Sequence, residues 1–141
     1  MLKVLFASSL ALTALTTLGA NVTQVNRYAT VANKPLAAQV NPLLAVQQIH
    51  FSQEVKTIGQ AVEWWLRYSG FTLVAKEKQL ESLQAVMRQP LPQIDRNLGP
   101  LTVRDGLEVL VGQPVFTLVE DSLLRQVNFQ LKPAVKSRSK Q

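Results

Sequence analysis

The chain of 141 residues contains no cysteine and only one histidine. The absence of cysteine excludes disulfide bonds, cysteine nucleophiles, thiolate metal sites and a lipid anchored on a thioether. A serine triad would have to use His50, which lies between apolar neighbours in a predicted strand and has no accompanying serine motif. We therefore expect His50 to be a surface-facing strand residue, and we expect no metal site.

Glycine-rich segments are also absent, because the six glycines are scattered singly along the chain. No loop of the kind that cradles a phosphate is present, so we expect no cofactor. A hydrolase with paired carboxylates would have to use Glu63 and Glu108, which lie on the flanks of predicted helices. Arg67 and Arg104 stand four residues from them, a spacing that allows ion pairs along each helix. Because none of these side chains forms a recognisable catalytic set, we expect no catalytic residue and a protein that is not an enzyme.

Residues 1–20 (MLKVLFASSLALTALTTLGA) contain one lysine, no acidic residue, an apolar stretch and a small-residue end. This layout is typical of a secretory signal peptide, and the stretch is short for a membrane span of about 20 residues. We expect an exported, periplasmic protein, associated with a membrane only through a partner or an uncleaved signal.

The formal net charge of +6 is concentrated at the ends of the chain. Residues 21–131 carry ten basic and nine acidic side chains, whereas residues 132–141 (KPAVKSRSKQ) carry four basic ones and no acidic one. A nucleic-acid-binding domain would place its charge on a folded face among aromatic residues. We therefore expect no nucleic acid partner and a disordered basic tail, with contact to anionic lipid or an acidic partner as the alternative.

The tetrapeptide FTLV occurs at residues 71–74 and again at residues 116–119, and each copy ends an 18-residue segment that begins with threonine. The two segments are related by an offset of 45 residues and share six identical positions. In each, Thr57 or Thr102 is placed to cap a helix with apolar residues at helical spacing, and FTLV follows as a strand. Because Gly70 and Gly112 stand at different offsets, the second helix is predicted to be about one turn shorter. Chance similarity between two helix–strand units is the alternative to a true repeat.

These segments predict four regions along the chain. They are a signal peptide at 1–20, an extended arm at 21–44, a folded domain at 45–131 and the tail at 132–141. Within the arm, RYATV is a candidate strand, and VQQIHF is a candidate first strand of the domain. The predicted order of the domain is β-α-β, a small helix, β and then α-β-β. We predict an α+β fold, in which helices pack on a short mixed sheet whose central strands are the two FTLV segments.

Adjacent tryptophans in the first segment fall on opposite faces of its helix. Trp65 lies on the apolar face and is predicted to be a core residue. Trp64 lies on the other face, with Arg67 beside it and Tyr68 one turn later. Since aromatic and arginine side chains dominate interface energetics, these three residues are our candidate partner-binding site. The alternative is that the arm covers them.

An ordered set of segments resembles the N-terminal region of PilL-type proteins. The segments are RYATV, NPLLAV, TIGQAVEWWLRYSGFTLV, PLPQIDRNLGPLTVRDGLEVLVG and VFTLVED with RQVNF. These proteins belong to the type IVb pilus systems of conjugative integrating elements. The resemblance covers residues 27–129. It implies a pilus-assembly component with a βαβ-type module of the N0/STN kind found in secretins, which docks proteins and has no catalytic role. A secretin or another pilus-assembly subunit is the implied partner.

The alternative function is a periplasmic accessory protein that binds peptidoglycan through Trp64 and Tyr68. A third possibility, nucleic-acid binding by the tail, is disfavoured by export.

Overall fold

The computed structural model describes residues 22–133. The predicted signal peptide and all but the first two residues of the predicted tail lie outside this range. The strands are β1 (Val22–Asn26), β2 (Ala29–Ala32), β3 (Val46–His50), β4 (Thr72–Leu73), β5 (Asn97–Thr102), β6 (Phe116–Asp121) and β7 (Gln126–Leu131). The α-helices are α1 (Ala37–Val40), α2 (Ile58–Leu66), α3 (Glu81–Met87) and α4 (Val103–Val111).

The first of two compact units ends at Lys34 and contains the antiparallel hairpin β1–β2, in which Val22 pairs with Ala32. The second unit begins at Pro35. The division therefore falls inside the region predicted as an arm, which holds the hairpin in one unit and α1 in the other. Leu43 ties the end of the predicted arm to the second unit, because its side chain is fully buried in the core of that unit.

The second unit confirms the predicted order of strands and helices from β3 to β7, and the protein has an α+β fold. Up to residue 133, however, its strands form two sheets rather than one. Strands β3 and β5 pair antiparallel in a two-stranded sheet. The three-stranded sheet has the order β4–β7–β6, in which β4 is parallel and β6 is antiparallel to β7.

The two FTLV segments lie at the two edges of the three-stranded sheet, so the prediction that they are central strands is wrong. The central strand is β7, which pairs with both of them. Both copies begin with a buried phenylalanine, Phe71 or Phe116, followed by a more exposed threonine. The segments are thus equivalent in orientation towards the core, but their outer edges face different surroundings.

Helices α2 and α4 begin and end at equivalent positions of the repeat and are nine residues long. The Thr57 hydroxyl accepts the Gln60 N–H (3.2 Å), and the Thr102 hydroxyl accepts the Asp105 N–H (3.0 Å), which confirms both predicted caps. The prediction of a shorter second helix is wrong. Helix α2 ends before its glycine, and a turn then separates it from Gly70.

Close contact between α2 and α4 requires a glycine in α4. A Cβ on Gly106 would lie 1.9 Å from Cη2 of Trp65, so only glycine admits the indole ring. Trp65 is buried, as predicted, and its Nε1–H donates to Gln47 Oε1 on β3 (3.0 Å). The hydrogen bond satisfies the polar edge of a buried aromatic ring, as burial of tryptophan demands.

Candidate docking surface

The three predicted partner-binding residues lie at the carboxyl end of α2 and are all exposed. Tyr68 exposes 85% of its surface, whereas Trp64 exposes 37% because one edge of its ring packs against Phe51. The ring centroids are 5.9 Å apart at an angle of 75°, an edge-to-face contact. Trp64 thus presents its remaining surface to solvent, and Tyr68 lies in the turn that follows the helix.

The turn after α2 is fixed by the buried Ser69. Its hydroxyl donates to the Leu66 carbonyl (2.8 Å) and accepts the Phe71 N–H (3.1 Å). These bonds connect the end of the helix to the start of β4, so the turn that carries Tyr68 is joined to the three-stranded sheet.

A cavity of about 540 Å³ lies beside Trp64. Arg67 and the two carboxylate residues Glu54 and Glu63 also line it, whereas Tyr68 does not. The structure thus brings Trp64 and Arg67 together at one concave site and leaves Tyr68 outside it. A mixed aromatic and charged rim of this kind is typical of protein-contact surfaces.

Side chains of α4 close the outer edge of β6 at Leu118. Glu108 is buried, and its Oε1 accepts the Leu118 N–H (2.9 Å) and the Thr117 hydroxyl (3.2 Å). Arg104 Nη2 donates to the Leu118 carbonyl (2.8 Å), and its Nη1 pairs with Glu120 Oε2 (3.2 Å). The two outward-facing backbone groups of Leu118 are therefore satisfied, which blocks pairing with another strand.

These contacts also bear on the predicted ion pairs. Arg104 pairs with Glu120 on β6, so its predicted pairing with Glu108 along the helix is wrong. Glu108 turns inward to the strand, whereas Glu63 at the equivalent position of α2 is exposed. The two glutamates have different surroundings, and Glu108 has a structural role in closing the β6 edge.

The outer edge of β4 is open. Ladder bonds to β7 use the N–H groups of Thr72 and Val74, so the N–H and C=O of Leu73 point away from β7. Within residues 22–133 neither group has a hydrogen-bond partner. Leu73 lines a second cavity, of about 570 Å³, whose other lining residues include members of α2 and α3. Its lining includes Glu63, Lys76 and Arg88.

His50 lies on the exposed face of β3, as predicted, and its ring is hydrogen-bonded to the side chain of Asn97 on β5. In the part of the chain that the structure describes, no three His, Cys, Asp or Glu side chains are grouped in a way that could hold a metal ion.

One carboxyl group has a shifted protonation equilibrium. Asp95 lies in the 3₁₀ turn Gln93–Arg96 and is half-buried. Burial raises the pKa of Asp95 above its ordinary value, because desolvation disfavours the charged form. Asp95 lines neither of the two cavities, so its shift bears on stability and not on the docking surface.

Comparison of the chain with protein-family models, curated proteins and solved structures finds no match. No helix within residues 22–133 has the length and apolar character needed to cross a membrane.

The candidate site predicted from the sequence did not include Leu73, Lys76 and Arg88, which line the cavity beside β4. Comparison of the two 18-residue segments at their offset of 45 residues would have pointed to this cavity. Gly59 stands where the second copy has Arg104, so the arginine that closes the β6 edge has no counterpart beside β4.

Proposed function

We propose that the protein is a non-enzymatic docking module of a conjugative type IVb pilus or transfer apparatus, and that it acts in the periplasm. Its partner is a secretin or another pilus-assembly subunit. The observation that carries the docking function is the exposed aromatic and arginine surface at the end of α2, formed by Trp64, Arg67 and Tyr68.

The chemistry of this surface supports protein contact. An indole held against Phe51 and an exposed phenol offer large apolar area at a small cost in side-chain entropy. The neighbouring guanidinium of Arg67 supplies directional hydrogen-bond donors. Together these are the side-chain types in which interface hot spots are enriched.

The assignment to a pilus apparatus has a separate basis, which is the sequence resemblance. The order of strands and helices from β3 to β7 agrees with the small βαβ-type module that the resemblance implies. Such modules dock partners through a helix face or through an unpaired sheet edge.

The test is binding of the purified chain to secretin and inner-membrane pilus subunits produced by the same element. We expect a complex with one of them, and Trp64→Ala is expected to weaken it by about tenfold or more, as for a hot-spot aromatic. Tyr28→Ala is the control, because it removes an exposed aromatic side chain that lies in the hairpin unit. It should leave the affinity unchanged.

Absence of binding to every pilus subunit, together with normal DNA transfer in a strain that lacks the protein, would contradict the proposal. If binding occurs but Trp64→Ala has no effect, the module docks through another surface.

A second candidate function is peptidoglycan binding, which the exposed ring of Tyr68 favours because sugars stack on exposed aromatic faces. Sedimentation of the protein with purified peptidoglycan would support it. Loss of that sedimentation on Tyr68→Ala would identify the ring as the contact.

A further inference from the structure

The two halves of the pseudo-repeat differ at the outer edges of their strands. At β6, Glu108 and Arg104 satisfy both outward-facing groups of Leu118. The offset of 45 residues places Glu63, Gly59 and Leu73 at the equivalent positions. The edge that α4 closes with its own side chains is therefore left open beside α2.

Gly59 lacks the side chain with which Arg104 closes the β6 edge, and Glu63, the counterpart of Glu108, makes no hydrogen bond to Leu73. A Cβ on Gly59 would lie 3.0 Å from the Met87 carbonyl oxygen, so the backbone of α2 approaches α3 closely at this position. Helix α3 has no counterpart in the second half of the repeat, where a hairpin follows the strand instead. It forms the wall of the cavity opposite β4 and does not reach the backbone of Leu73.

The chain that leaves β4 is held in place by two glutamine side chains that line the cavity. Gln79 Nε2 donates to the Val74 carbonyl (2.8 Å), and Gln84 Nε2 donates to the Lys76 carbonyl (2.8 Å). A wall ordered before binding reduces the entropy lost when a ligand enters. The volume of about 570 Å³ falls in the range of roughly 300–1,000 Å³ that is usual for ligand sites.

The charges around the cavity select among extended ligands. Its lining contains two basic residues, Lys76 and Arg88, and one acidic residue, Glu63. The excess of positive charge favours a segment that carries a carboxylate and disfavours the basic sequence KSRSK at the end of this chain.

We propose that the cavity beside β4 binds an extended, acidic peptide segment of a partner protein. The peptide backbone pairs with the N–H and C=O of Leu73 and adds a strand to the sheet, and its carboxylate lies near Lys76 and Arg88. This assignment rests on the docking function proposed above and gives that function a second contact, on a different side of α2 from Tyr68.

The test uses two capped hexapeptides of alternating valine and threonine, one with a central glutamate and one with a lysine at the same place. Each is titrated into the ¹⁵N-labelled chain. We expect the glutamate peptide to bind about tenfold more tightly than the lysine peptide. The largest shift among the strand amides should be at Leu73, whereas the amide of Leu118 should not move because Glu108 already occupies it.

Lys76→Glu and Lys78→Glu form a matched pair. Both lysines are exposed in the 3₁₀ turn Lys76–Lys78, but only Lys76 lines the cavity. We expect Lys76→Glu to weaken binding of the glutamate peptide by about fivefold or more, and Lys78→Glu by less than about twofold.

Three results would overturn the inference: no binding of either peptide, shifts confined to the Trp64 indole, or equal effects of the two lysine substitutions. The docking function is judged separately, by the pilus subunits. Binding of a pilus subunit without binding of a peptide would refute only the strand-addition site. Binding of the glutamate peptide without binding of any pilus subunit would refute only the pilus assignment.

Discussion

Replacement of Gly106 by alanine tests the packing of the two repeat helices. The new Cβ would meet three atoms of the Trp65 ring at 1.9, 2.4 and 2.7 Å. Ordinary carbon contacts are about 3.5–4.0 Å, so the ring or the helix must move. The ring is constrained, since it is buried and its Nε1–H is bonded to Gln47.

Two opposing effects determine how much Gly106→Ala changes the free energy of unfolding. Overpacking of a core costs about 1–3 kcal/mol, and the severity of this overlap places Gly106→Ala at the upper end. Alanine gains about 1 kcal/mol over glycine inside a helix. We expect a net loss of about 1–2 kcal/mol in the free energy of unfolding, measured by urea denaturation with far-ultraviolet circular dichroism.

Gly59→Ala is the matched control in α2. There the new Cβ would meet the Met87 carbonyl oxygen at 3.0 Å and the Met87 Cβ at 3.4 Å, which a shift of a few tenths of an ångström relieves. The gain in helix propensity should offset this shift, leaving stability within about 0.5 kcal/mol of the parent.

A double substitution completes the test. With Trp65→Leu the steric conflict disappears, so Gly106→Ala should cost at least about 1 kcal/mol less in that background than in the parent. A Gly106→Ala variant as stable as the parent or more stable, or simple additivity of the two substitutions, would show that Trp65 does not exclude a Cβ at this position.

Two further substitutions test buried and partly buried carboxylates. Glu108→Ala leaves the Leu118 N–H without its acceptor and should cost about 1–3 kcal/mol in urea denaturation, against less than about 0.5 kcal/mol for the exposed Glu63→Ala; equal costs would contradict the closed edge. Because burial raises the folded-state pKa of Asp95 above 3.8, the folded chain binds this proton more tightly than the unfolded chain, so stability falls as pH rises through the folded-state value. Asp95→Asn should therefore raise the melting temperature slightly at about pH 7, and the gain should vanish at about pH 3, below both pKa values; a gain that persists there would contradict this assignment.

Local features of the sequence predicted the elements well. Both helix caps and the burial of Trp65 follow from short-range patterns, since a threonine before an amphipathic run and an apolar spacing act within a few residues. The predicted end of α2 is wrong, because Gly70 lies in a turn that follows the helix and does not end it.

Long-range features were harder to predict from the sequence. Strand pairing decides that the two FTLV segments are edges, and it depends on where β7 docks, which no local pattern encodes. In the same way, Arg104 and Glu108 have the spacing of a helical ion pair, but β6 supplies each of them with a nearer partner. The burial of Leu43 likewise depends on the tertiary core, which no local pattern encodes.

The two outer edges of the three-stranded sheet differ, because one is sealed at Leu118 and the other is open at Leu73. Amide hydrogen exchange of the free protein tests this difference directly at Leu118 and Leu73. We expect the Leu118 amide to be strongly protected by Glu108, and the Leu73 amide to exchange far faster than those of Thr72 and Val74 beside it. Protection of Leu73 equal to that of Leu118 would contradict this difference, because it would show that the β4 edge is already occupied.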